Sequence, residues 1–126
     1  LPFIRKRAAQ LFSKTRFIAA QLHAYLDDDL WIRLAEHANA MADRMADGIR
    51  RSSRVELAWP CESNELFVVM PKDFADSLTK QGAHFYPWPS PSSYVDKIPD
   101  GCGLYRLVTS FATPASDVDQ FVDLLQ

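Results

Sequence analysis

Arg106 sits in the stretch Gly101-Cys102-Gly103-Leu104-Tyr105-Arg106-Leu107-Val108-Thr109-Ser110-Phe111, and its surroundings give it the strongest claim to chemistry in this sequence. The alternation of an extended strand puts Leu104, Arg106, Val108 and Ser110 on one face and Tyr105, Leu107, Thr109 and Phe111 on the other. A guanidinium among apolar neighbours wants an anion, because burying an unpaired charge is costly. Arg106 therefore either pairs with a carboxylate of its own chain or receives one from a ligand; a structural ion pair or a solvated strand end is the plainer of these outcomes.

A second group of cations lies near the start. Arg5, Lys6, Arg7, Lys14 and Arg16 precede any acidic residue, so the chain carries +5 up to Leu26 and −7 thereafter, within a net charge of −2. Such a segment suits a phosphate, of a small cofactor or of a nucleic-acid backbone, or else forms a solvated face. Few aromatics interleave with it, which argues against a stacking platform for single strands. The other reactive side chains are scattered. His23, His37 and His84 share no ligand spacing, and Cys61 and Cys102 form no metal-binding pair, so no metal site is expected. The four glycines make no phosphate loop. Two cysteines without a disulfide framework, and no apolar run long enough to span a bilayer, lead to an expectation of a reducing, cytoplasmic setting with no membrane.

The elements that must position Arg106 are legible from periodicity. A helical segment is expected over 1–11, followed by a helix capped by Ser13 and running to Leu26, apolar nearly all round. Asp27, Asp28 and Asp29 are expected to cap the clearest helix. Its stripe of Trp31, Leu34, Ala38, Met41, Met45 and Ile49 steps by three and four, and Arg50 and Arg51 close it. After Ser53 the period drops to two: Val55 to Trp59, a turn at Cys61 to Asn64, and Leu66 to Met70 predict a hairpin. Pro71 to Lys80 returns to helix, with Gly82 beyond its end. His84 to Trp88 is strand-like and leads into a loop rich in proline and serine, after which comes the strand of Arg106. Thr113 is expected to cap a last helix with Pro114 at its first position and Val118, Phe121, Val122 and Leu125 on its apolar face. The order predicts an α+β fold: long N-terminal helices, then a small, mostly antiparallel sheet of about four strands with helices packed on one face.

Several phrases in order resemble the C-terminal part of bacterial low-specificity L-threonine aldolases. They are Ile4-Arg5-Lys6-Arg7-Ala8, Ser13 to Gln21, Leu34 to Ala42, Asn64-Glu65-Leu66-Phe67, and Arg106-Leu107-Val108-Thr109-Ser110-Phe111. These enzymes belong to the β-eliminating lyase group of pyridoxal-phosphate proteins with the aspartate aminotransferase type of fold. The resemblance implies a division at 1–14, the end of a connection to a large cofactor-binding domain, and 15–126, the small domain. It places the Schiff-base lysine upstream and leaves no catalytic residue in this chain. Arg106 matches the arginine implied to hold the substrate carboxylate, and Lys6 a lysine implied to approach the cofactor. It further implies a small β-hydroxy amino acid as substrate, a homo-oligomer, and no activity or bound cofactor for the segment alone. Where many members of the family pass directly from the third strand to the last, this chain inserts Trp88 to Gly101. The alternatives are a free-standing module whose basic segment holds RNA or an acidic partner, and a dimerisation domain that buries Leu22 and Tyr25.

Overall fold

The structure is a computed structural model that describes residues 2–9 and 11–126. Leu1 and Gln10, both within the expected first helical segment, lie outside the described residues. The chain divides into two compact units, Leu1–Arg33 and Leu34–Gln126.

In the first unit α1 (Pro2–Arg7) and α2 (Thr15–Leu26) are followed by a 3₁₀ turn over Asp27–Asp29. The residue preceding α2 is Lys14, whose side chain makes no capping bond, so the expected cap at Ser13 does not form. Asp28 and Asp29 adopt left-handed backbone angles, φ 51° and 54°, which short polar side chains tolerate better than most. Arg33 ties this turn down by donating to the Asp28 carbonyl, with its guanidinium 3.5 Å from the Asp28 carboxylate. Neither α1 nor α2 buries a residue, and Phe3, Ile4, Phe17, Leu22 and Tyr25 are all exposed.

The second unit holds the core. Helix α3 (Leu30–Arg51) buries Ala38, Met45 and Ile49 of the expected stripe together with Ala42 and Ala46, which the stripe did not include, while Trp31 at its start is exposed. Strands β1 (Glu56–Leu57), β2 (Glu65–Pro71), β3 (Tyr86–Pro87) and β4 (Cys102–Val108) form one antiparallel sheet in the order β1-β2-β4-β3. Helix α4 (Lys72–Lys80) contributes Phe74, Ala75 and Leu78, and α5 (Ala115–Leu124) contributes Val118 and Val122. These side chains pack with Leu66, Val68, Met70, Tyr105 and Leu107 from one face of the sheet. The α+β class and the antiparallel four-stranded sheet are therefore as expected.

Several boundaries differ: α1 ends at Arg7 rather than near Leu11, and β3 is confined to Tyr86–Pro87 rather than His84 to Trp88. Strand β1 is shorter than Val55 to Trp59: one more ladder bond, Ala58 N–H to the Phe67 carbonyl at 2.8 Å, closes it before Pro60, which has no N–H to offer. Strand β4 ends at Val108, not Phe111, because a tight turn takes over, with Ser110 N–H donating to Thr113 Oγ1 at 2.9 Å. That bond occupies the hydroxyl expected to cap α5, and the helix starts after Pro114 with no side-chain cap.

Candidate site around Arg106

Arg106 lies at the centre of β4, and register determines what it meets. It is opposite Phe67 of β2 on one side and Tyr86 of β3 on the other. Directly paired residues share a face, so Arg106 projects with Phe67 and Tyr86 away from the helical core that holds Tyr105 and Leu107. Loop aromatics from two directions build up this second face. Trp59 packs on Phe67 with ring centroids 4.7 Å apart, Tyr94 meets Trp59 edge-on at 5.5 Å, and Trp88 meets Phe67 edge-on at 5.6 Å.

The guanidinium itself is held on two sides. Its Cζ lies 4.7 Å from the centroid of the Trp88 ring, within cation–π range. One terminal nitrogen, Nη1, is 3.6 Å from Glu65 Oε1, well outside the 2.7–2.9 Å typical of a charge-assisted hydrogen bond. Both side chains are partly open, Arg106 at 31% and Glu65 at 39% exposure. Nε, by contrast, is covered from solvent and meets no acceptor. The home carboxylate is thus loose and near the surface, and the donor set is incompletely used. A planar guanidinium of this kind can receive a carboxylate with defined orientation.

Glu65 is well placed to remain beside it. The preceding Asn64 donates Nδ2 to the Thr109 carbonyl at 2.7 Å and accepts from Thr109 N–H at 3.0 Å, and Thr109 Oγ1, fully buried, donates to Ala38 of α3 at 2.7 Å. The strand end next to Arg106 is therefore fastened to a helix as well as to its neighbour.

The other candidates fall elsewhere. Lys6 is an exposed residue of α1 in the first unit, between Arg5 and Arg7; Arg106 belongs to the second. His37 is exposed, with Nε2 2.8 Å from the Thr113 carbonyl, and no group of three metal-ligating side chains occurs among the described residues. Burial pushes the Cys61 thiol up, the opposite of what a nucleophilic thiolate needs. A concavity of about 960 Å³ runs beside β1, and three of its polar lining residues are engaged within the chain. Arg54 lies over Phe74 at 3.6 Å, Arg50 pairs with Asp47 at 2.6 Å, and Ser52 donates to the Leu125 carbonyl at 2.7 Å. Trp88 and Glu65 are the neighbours of Arg106 that sequence reasoning did not single out as site residues. Glu65 comes beside Arg106 through the β2–β4 register, which no sequence pattern announced, and Trp88 had only its place at the start of the proline-rich loop.

Comparison with known proteins gives two kinds of relative, by sequence and by fold. No family profile matches the chain. Over 81 residues, 64% of this chain, it is 38% identical to a low specificity L-threonine aldolase of Pseudomonas aeruginosa and 37% identical to one from another Pseudomonas strain. The chain is similar to the C-terminal part of low specificity L-threonine aldolases. Its fold agrees: a threonine aldolase structure from Leishmania major superposes with a TM-score of 0.71 over 83% of this chain at 28% identity. The aldolase relatives are much longer, the match spanning 23% of each Pseudomonas protein and 28% of the Leishmania chain. No helix among the described residues is long and apolar enough to cross a membrane.

Proposed function

We propose that this chain is the substrate-carboxylate arm of a pyridoxal-phosphate-dependent aldol lyase, which cleaves L-threonine or L-allo-threonine-like β-hydroxy-α-amino acids to glycine and an aldehyde. The observation that carries the reading is Arg106: a guanidinium on the strand of the Arg-Leu-Val-Thr phrase that carries the resemblance, partly open to solvent and with only a loose carboxylate at 3.6 Å. Pyridoxal phosphate, when bound, supplies the electron sink for breaking the Cα–Cβ bond. Arg106 holds the substrate carboxylate and so limits which bond at Cα is free to break, a contribution of orientation. Lys6, exposed in a basic helix end, has the chemistry to meet the cofactor phosphate. The remaining groups that hold the cofactor belong to a large domain of the same polypeptide.

The exposed apolar side chains of α1 and α2 support a role for the first unit in contacts with that large domain or with a second copy in a homo-oligomer. On this reading the 126-residue chain alone is inactive: incubation with pyridoxal phosphate and threonine yields no glycine, and borohydride traps no stoichiometric lysine adduct. The reading is tested by Arg106→Lys in the longer enzyme. KM for threonine rises while the absorption spectrum of the bound cofactor is unchanged; unaltered kinetics would remove Arg106 from the site.

A further inference from the structure

We propose that Trp88 and Glu65 together set the affinity of Arg106 for its ligand: the indole fixes the guanidinium in place, and the Glu65 carboxylate occupies it as a stand-in until the ligand's carboxylate displaces it. The inference rests on the reading that Arg106 receives a carboxylate, and it assigns that site a positioning residue and a built-in competitor.

Trp88 is braced to serve as a wall. Its backbone N–H donates to the Leu104 carbonyl at 2.8 Å, two residues from Arg106 on the same strand face, and its ring leans edge-on against Phe67 at 5.6 Å. With Phe67 opposite Arg106 in the ladder, the guanidinium stands beside two rings that also support each other. A long arginine side chain otherwise samples many rotamers, and each one lost on binding weakens the ligand; the indole stabilises one arrangement in advance. Trp88 opens the segment between β3 and β4, so that proline-rich loop contributes directly to the site.

Glu65 is the local anion. Its distance of 3.6 Å and its partial exposure make the pair weak, as half-exposed ion pairs are. A ligand carboxylate that makes a closer contact outcompetes it, and while Glu65 holds the position it lowers the apparent affinity by the fraction of time it is there. The same negative charge repels an incoming anion. Both effects have one sign, so neutralising Glu65 strengthens binding.

Two measurements test this, one in the longer holoenzyme and one on the 126-residue chain. In the enzyme, Trp88→Leu raises KM for L-threonine about three- to tenfold, the span expected of a lost cation–π contact, with kcat little changed. Trp88→Phe recovers most of the loss, and Glu65→Gln lowers KM by roughly two- to fivefold. In the isolated chain, the NMR cross-peak of the Arg106 Nε–H is sharp in the wild type and in Glu65→Gln and broadens in Trp88→Leu. An unchanged Nε–H peak in Trp88→Leu overturns the positioning role whatever the kinetics. An unchanged or raised KM in Glu65→Gln overturns the stand-in role, and this surface variant keeps the idea testable if Trp88→Leu folds poorly. If Arg106→Lys itself leaves KM unmoved, the carboxylate reading fails and the Glu65 role falls with it, while the Nε–H peak still reports on Trp88.

Discussion

Phe67 and Arg106 face each other directly across the β2–β4 ladder. That pairing sets the backbone position of Arg106, and the ion pair adds little to it, because Glu65 lies at 3.6 Å with both partners partly open to water. Arg106→Met in the 126-residue chain should therefore change the unfolding free energy by less than about 1 kcal/mol in a urea titration. A loss of several kcal/mol would make Arg106 a structural residue and weaken its assignment to a ligand.

Helices α3 and α5 touch at Gly48, where a methyl group would sit 2.3 and 2.6 Å from the two methyl carbons of Val122. Gly48→Ala improves helix propensity by about 1 kcal/mol, but overpacking costs about 1–3 kcal/mol, so the net effect is destabilising. Val122→Ala in the same molecule should recover part of the loss, seen as non-additivity in denaturant midpoints.

Thr109 is completely buried, and its hydroxyl donates to the Ala38 carbonyl at 2.7 Å. Thr109→Val keeps the shape and removes the donor; the expected cost is about 1–2 kcal/mol, read by chemical denaturation. Faster hydrogen exchange at the Thr109 and Asn64 amides should accompany it, because the same bond fastens the end of β4. Exchange equal to the wild type would deny the fastening role.

Arg44 of α3 and Asp119 of α5 form a two-pronged pair at 2.6 and 2.8 Å. The hydrogen bond from Arg44 holds the Asp119 carboxyl below its usual range. A carboxyl lowered in the folded state contributes stability above its unfolded value, about 3.9, and loses that contribution as pH falls through the lower folded value. The stability gap between wild type and Arg44→Met should therefore narrow as pH drops below about 4. A gap independent of pH would show that the pair contributes nothing through charge.

The helices and the central strands were legible because each buries one face with a regular period. Ala38, Met45 and Ile49 of α3, the α4 triplet Phe74, Ala75 and Leu78, and the existence of strands β2 and β4 follow from it. Boundaries set by competing local bonds were not: Thr113 has a capping side chain, but the turn from Ser110 claims its hydroxyl. Arg106 stood out as a cation on an apolar strand. Its wall did not, because Trp88 reaches it through strand register and a loop path that no sequence period encodes.

The central claim is that Arg106 recognises the carboxylate of the substrate, and the direct measurement removes each partner in turn. In the longer aldolase, kcat/KM is compared for L-threonine and L-threoninamide, in the wild type and in Arg106→Ala. The account predicts a strong wild-type preference for the free acid that collapses in the variant, the signature of a coupled pair. An equal preference in both proteins would contradict it.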